Sequence, residues 1–159
     1  MQKGFTVLEL LIVLALIGIV TAQVLPVSTN WTAKESLSET SETLMGALND
    51  TRSEAQIRST TTRLLVQRNG DTYTLTAYTS PSPVNNCDTT GTWNALFTRT
   101  MEINNQLELT GTGVGHVCFY RDGTASGGVY TIAEKADGGE IGSKTITVTI
   151  ATGYLDVAS

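Results

Sequence analysis

An apolar run near the N-terminus constrains this 159-residue chain more than any other feature. Residues from Phe5 to Leu25 are almost all apolar or small, whereas the chain from Asn30 onward is rich in Thr, Ser, Asn and Gly. As a helix rising 1.5 Å per residue, a run of about 21 residues can cross the roughly 30 Å hydrocarbon core of a bilayer. The run therefore predicts a membrane-spanning segment over residues 5–29 and a soluble head over residues 30–159.

Glu9 is the one carboxylate inside this run. An ordinary secretory signal peptide, cut after Val20-Thr21-Ala22, is one interpretation, and a plain transmembrane anchor is another. Neither has a use for a carboxylate, which costs on the order of 2–3 kcal/mol near the centre of a membrane helix. A third interpretation supplies a partner. Cleavage after Gly4 would make Phe5 a positively charged N-terminus, which Glu9 of a neighbouring copy could neutralise.

Charge and cysteine content limit the possible functions. The formal net charge is −5 and no block of Lys or Arg occurs, so nucleic-acid binding through a strong basic field is not supported. Cys87 and Cys118 form no C-x-x-C pair, and His116 is the only histidine, which argues against zinc. If the head is exported, as the anchor indicates, a Cys87–Cys118 disulfide is favoured. The alternative is two buried free thiols in a cytosolic protein.

The residues around the expected cut resemble a known motif. The run from Gly4 through Phe5 to Glu9 resembles the prepilin motif of type IV pilins and type II secretion pseudopilins. In that motif a short basic leader ends in Gly, and a Glu stands at the fifth position after the cut. Gly18 and Pro26 match the helix-breaking positions that pilins carry in and just after this segment.

The resemblance implies a role for each of these residues. A prepilin peptidase would remove the leader, residues 1–4, and Phe5 would become an N-methylated N-terminus. Glu9 would set the register of the subunit as it joins a filament. The chain would first be a single-pass protein of the bacterial inner membrane with its head in the periplasm, and later part of a pilus at the cell surface.

One long helix is expected over about residues 5–58. Pro26 lacks an N–H group and should kink or locally open it. Beyond Pro26, apolar residues recur on one helix face: Leu37, Leu44, Leu48 and Ala55. This amphipathic second half needs a domain to lie on.

From Ser59 onward, short alternating segments predict strands. Segments 63–68 and 72–78 flank an Asn69-Gly70-Asp71 turn and form a hairpin. Further strand candidates are 95–100, 106–110, 115–120, 128–133 and 144–150. The expected fold class is α+β, a type IV pilin-like fold in which the long N-terminal helix packs on a mostly antiparallel C-terminal sheet domain.

A second resemblance covers the head. The pattern from Leu44 to Ala55, followed by a hairpin, and the segment from Val117 to Thr124 resemble minor pilins and pseudopilins related to FimT, FimU and GspH. FimT-like pilins of DNA uptake carry a Gly-Arg-x-Arg motif near the C-terminus. The matching stretch here, Gly153-Tyr154-Leu155-Asp156, lacks both arginines, so nucleic acid is not expected as a partner.

No catalytic constellation is recognisable in the sequence. A Ser-His-Asp triad could use only His116, which stands at a predicted strand entrance and is better interpreted as a structural or surface residue. Asp137-Gly138-Gly139-Glu140 lacks the ligand spacing of a calcium loop, and no phosphate-binding loop occurs. No enzymatic activity, catalytic residue, cofactor or metal is expected.

The leading hypothesis is therefore a FimU-like minor type IV pilin that starts assembly of a pilus or lies at its tip, serving twitching motility, adhesion or transformation. Its expected partners are other minor and major pilins, the prepilin peptidase and the inner-membrane assembly platform. A GspH-like minor pseudopilin of type II secretion is the alternative, since it shares the anchor and the fold. A DNA-uptake pilin is less favoured.

Overall fold

The computed structural model describes residues 7–81, 87, 91–102, 107–136 and 139–159, without the side chains of 20–34, 135, 136 and 139–141. The chain divides into an N-terminal unit, Met1–Glu35, and a head unit, Ser36–Ser159. The expected cleavage site at Gly4 and Phe5 lies outside the described residues. The same holds for Asp137 and Gly138 and for the side chain of Glu140.

One helix, α1, extends over Val7–Arg58, close to the range expected from the sequence. It is helical through Gly18 and Pro26, so the break expected at these residues is absent from its secondary structure. A proline removes the hydrogen bond that its own nitrogen would donate and crowds the carbonyl four residues before it, but the flanking turns can continue the helix. A kink at Pro26 stays a prediction.

The C-terminal end of α1 is fixed by local hydrogen bonds. Ser59 adopts a left-handed backbone with φ of 51°. Its N–H donates to the Gln56 carbonyl at 3.2 Å, and the Thr60 N–H donates to the Ala55 carbonyl at 3.1 Å. This pair of bonds is a Schellman motif, which satisfies carbonyls that have no partner within the helix. The chain therefore turns sharply from α1 into the first strand.

Eight strands among the described residues form two antiparallel four-stranded sheets. The first sheet has the order β3-β2-β1-β5 and consists of β1 (Thr62–Asn69), β2 (Thr72–Thr79), β3 (Asn94–Glu102) and β5 (His116–Phe119). The second has the order β4-β6-β7-β8 and consists of β4 (Leu107–Thr110), β6 (Gly128–Ala136), β7 (Gly139–Val148) and β8 (Leu155–Ala158). The expected hairpin is confirmed, with Gly70 at φ 63° in its turn.

The core of the head lies where both sheets and the C-terminal half of α1 meet. Helix residues Leu44, Leu48 and Ala55 are fully buried there. The strands contribute alternating residues of their inner faces: Leu64, Val66, Leu75, Ala77, Val117 and Phe119 from the first sheet, and Tyr130, Ile132, Ile146 and Val148 from the second. The expected α+β fold, with a helix on antiparallel sheets, is confirmed.

Truncating a helix residue of this core should destabilise the head strongly. Leu48→Ala removes a side chain with no exposed surface and leaves a cavity, which should lower the unfolding free energy by about 2–5 kcal/mol. Urea denaturation of the full chain in detergent, followed by circular dichroism, measures it. Ile57→Ala is the matched control because Ile57 is 78% exposed, and it should change stability by less than about 0.5 kcal/mol. Equal effects of the two variants would contradict this packing.

Candidate functional site

The N-terminal part of α1 presents an apolar surface on every side. Its large apolar side chains between Val7 and Ile19 are 49–76% exposed. Scattered exposed apolar residues are ordinary on a protein surface, but a continuous surface of this kind marks a region that is buried against something else. A helix that is apolar all round fits a lipid phase or the centre of a helical assembly.

Glu9 stands in the first turn of this surface and is exposed. A carboxylate near a helix N-terminus is favoured by the helix dipole, which places partial positive charge there. In water the charge is solvated. Once the surrounding apolar surface is buried, the carboxylate needs a cation or a proton. The site can therefore recognise an amine that enters together with an apolar helix.

Among the described residues, which include the α1 side chains of 7–19 and 35–58, no helix is both long and apolar enough to cross a membrane.

Cys87 and Cys118 form a disulfide with a Cα–Cα distance of 5.7 Å, which confirms the pairing expected from the sequence. Cys118 lies in β5 opposite Arg63 of β1. The bond therefore attaches the segment between β2 and β3 to the first sheet, at a point 31 residues further along the chain.

Arg63 forms an aromatic stack that the sequence did not indicate. Its guanidinium carbon lies 4.5 Å from the ring centroid of Trp93 and 5.2 Å from that of Tyr78. The residue is only 8% exposed, and burial lowers the pKa of Arg63 although Tyr78 opposes the shift. Trp93 lies just before β3, so the stack holds the end of the β2–β3 connection against β1 and β2. The Tyr78 pairing follows from hairpin register, but the approach of Trp93 is a tertiary contact with no sequence signal.

Glu134 is a buried carboxylate in β6. It is 1% exposed, and within the described part of the chain neither carboxylate oxygen has a hydrogen-bond partner. It shares the inner face of β6 with Tyr130 and Ile132, and burial raises the pKa of Glu134. Lys144 of the neighbouring strand donates instead to the hydroxyls of Ser38 and Ser41, at 3.2 and 3.3 Å.

The remaining residues singled out in the sequence are placed as follows. His116 is exposed at the start of β5, the surface position expected for it. In the C-terminal stretch, Tyr154 and Asp156 are exposed, and the nearby Arg52 donates to the Thr152 carbonyl at 3.1 Å.

Among the described residues no group of three side chains that could hold a metal ion occurs. An open cleft of about 630 Å³ on the head is lined by Ser36, Glu39, Thr40, Thr43, Asp71, Thr72, Thr100, Met101 and Glu102.

Comparison with known proteins gives matches at both ends of the chain. A family model described as type II transport protein GspH matches residues 40–153, and one for the prokaryotic N-terminal methylation motif matches residues 1–22. No curated protein matches the chain.

Two solved structures share the fold, both of the type IV minor pilin FimU of Pseudomonas aeruginosa strain PAO1. The crystal structure in space group P21 aligns with a TM-score of 0.59 at 16% identity, covering 81% of this chain and 92% of the other. The one in space group P65 aligns with a TM-score of 0.53 at 19% identity, covering 77% and 93%.

An apolar methylation-motif helix that continues into a two-sheet head defines a type IV minor pilin or pseudopilin. This class consists of membrane-anchored structural subunits that assemble with other pilins. Within it, the chain belongs to the GspH family, whose model covers most of the head.

Removing the disulfide should destabilise the head. The double variant Cys87→Ser/Cys118→Ser should lose about 3–4 kcal/mol of unfolding free energy, because the bond closes a loop of 31 residues in the unfolded chain. Urea denaturation with and without a reductant measures it. The reductant should lower the midpoint of the wild type and leave the double variant unchanged. A double variant whose midpoint without reductant equals that of the wild type would refute a stabilising disulfide.

Glu134 should make stability depend on pH. Because burial raises its pKa, the native chain retains a proton that the unfolded chain has already lost, so stability falls as pH rises through this interval. Glu134→Gln should therefore raise the unfolding free energy at pH 7, by about 1–3 kcal/mol, and have little effect at pH 4. Urea denaturation at both pH values measures this.

The control is Glu102→Gln, at the exposed end of β3, which should change stability by less than about 0.5 kcal/mol at either pH. A Glu134→Gln variant that is less stable than the wild type at pH 7 would show that the carboxylate is stabilising.

Proposed function

We propose that this chain is a FimU-like minor type IV pilin that starts assembly of a pilus or lies at its tip. The observation that carries the proposal is Glu9 on an otherwise apolar helix surface, in a chain whose head has the pilin fold. Such a subunit acts by binding other subunits, and its partners are other minor and major pilins in one filament.

Processing prepares the helix for assembly. In this proposal a prepilin peptidase cuts between Gly4 and Phe5, and Phe5 becomes an N-methylated amine. The processed chain is a single-pass protein of the bacterial inner membrane with its head in the periplasm. The assembly platform then moves the helix from lipid into the filament core. Both surroundings are apolar, so the exposed surface of α1 is covered at either stage.

Glu9 supplies the register in this transfer. A neighbouring Phe5 amine can neutralise the carboxylate only when the two helices are correctly offset along the filament. A mismatched offset leaves a charge unpaired in a low-dielectric core, at a cost of about 3–5 kcal/mol. Packing between apolar helices has little preference of its own for one offset, so the ion pair selects it.

Glu9→Gln should therefore keep the chain in the membrane but reduce its incorporation into pili at least about tenfold, since an unpaired amine in the core costs several kcal/mol. Immunoblots of sheared pili and of membranes measure the two populations. Glu35→Gln is the control, as this exposed glutamate lies on α1 outside the apolar surface, and it should incorporate normally. Normal incorporation of the Glu9→Gln variant would refute the role of Glu9.

A GspH-like minor pseudopilin of type II secretion is the second candidate, because the family model that matches the head is that of type II transport protein GspH. Deletion of the gene separates the two functions. Loss of surface pili and of twitching motility, with exoprotein secretion intact, supports the pilus assignment. Loss of exoprotein secretion with normal piliation supports the pseudopilin.

A further inference from the structure

The outer face of the first sheet holds a cation for which the described residues provide no anion. In β1, Leu64 and Val66 point into the core, so Arg63 points to the opposite face. Its cross-strand partners there are Tyr78 of β2 and Cys118 of β5. Among the described residues, ion pairs occur at Arg58–Glu54 and Arg99–Asp50 and none occurs at Arg63.

The guanidinium is held in place by rings rather than by hydrogen bonds. The ring centroids of Trp93 and Tyr78 lie 4.5 and 5.2 Å from its central carbon, and such cation–π contacts are attractive. Its Nε is buried and has no acceptor among the described residues. The residue as a whole is 8% exposed, so an incoming group can reach a small part of its surface. A guanidinium carries five N–H donors, and at least the one on Nε is unsatisfied here.

We propose that Arg63 binds the carboxylate of an acidic side chain on another subunit of the filament. A carboxylate fits the planar guanidinium through two parallel hydrogen bonds, and the stack already fixes the orientation of that plane. Because the stack already orders the Arg63 side chain in the free subunit, binding a carboxylate does not incur the entropic cost of ordering it. The identity of the partner as a pilin rests on the proposed function, whereas the anion site does not.

A protein carboxylate suits this face better than nucleic acid. The β1 residues that follow Arg63 on the same face are Leu65, Gln67 and Asn69, and none of them is a cation. Nucleic acid binds through several phosphates and needs several Lys or Arg residues. A single oriented guanidinium instead matches a single carboxylate.

Titration of the full chain in detergent micelles with sodium acetate tests the anion site. The side-chain Nε–Hε resonance of Arg63, sheltered by burial, should shift saturably in nitrogen-correlated NMR spectra. Arg63→Lys keeps the positive charge but loses the planar guanidinium that can form two parallel hydrogen bonds. Acetate binding to this variant, followed through the resonances of Trp93, should therefore weaken about tenfold. Arg68→Gln, in the exposed half of β1, is the control and should leave the acetate response of Arg63 unchanged. A resonance that does not move would overturn the site and leave Arg63 as a structural clamp only.

Two further measurements identify the source of the anion. A thymidine oligonucleotide that shifts the resonance at lower concentration than acetate would overturn the protein carboxylate in favour of nucleic acid. In cells, a photoreactive residue at the exposed Gln67 should crosslink to another pilin head, and Arg63→Gln, but not Arg68→Gln, should abolish the crosslink. A crosslink unaffected by Arg63→Gln would overturn the partner.

Absence of the whole chain from sheared filaments and from the secretion pseudopilus would instead refute the proposed function, while a positive acetate titration would still establish the anion site. The two failures are therefore distinguishable.

Discussion

The carboxylate of Glu9 lies on a helix surface that is otherwise apolar, and its charge must be neutralised wherever that surface is buried. A plain anchor avoids this cost by lacking the carboxylate. In the proposed function, the carboxylate is matched by an amine placed at a fixed offset on a neighbouring copy. The N-terminal half of α1 then makes contact with helices of the same kind.

The second half of α1 packs within its own subunit instead. Leu44 and Leu48 are fully buried against the two sheets of the head, so this half is committed to its own domain. The Schellman motif at Ser59 ends the helix and directs the chain into β1. In the proposed function, one helix thus serves two kinds of packing along its length, between subunits at one end and within the subunit at the other.

The sequence predicted what depends on local pattern. The extent of α1, the hairpin around Gly70 and the fold class follow from periodicity, turn chemistry and the prepilin resemblance, and the Cys87–Cys118 disulfide follows from cysteine count and export. Pro26 does not end the helix, because propensity is a weak constraint within a long regular element. The division into two sheets was not predicted, nor was β8, which is only four residues long and, among the described strands, pairs with β7 alone.

The features of the head that the sequence did not predict are contacts between residues that are far apart along the chain. Arg63 looks like an ordinary polar residue at the start of a strand, and only folding brings Trp93 over its guanidinium. Glu134 continues the alternation of Tyr130 and Ile132, but the strand predicted from the sequence ended at residue 133, one position before it, whereas β6 extends to Ala136. A buried glutamate is rare, so its burial was not expected. Together with the disulfide, the Arg63 stack fastens the β2–β3 connection to the first sheet.

The most direct test of the proposed role of α1 in filament assembly is the identity of the N-terminus of the mature chain. Mass spectrometry of the N-terminal peptide, recovered from sheared surface filaments, reads it in one measurement. An N-methylated Phe5 is the expected first residue, since the proposed role of Glu9 requires an amine at that position. A chain that starts at Gln23, as signal peptidase would leave it, or one that still starts at Met1, would contradict the account.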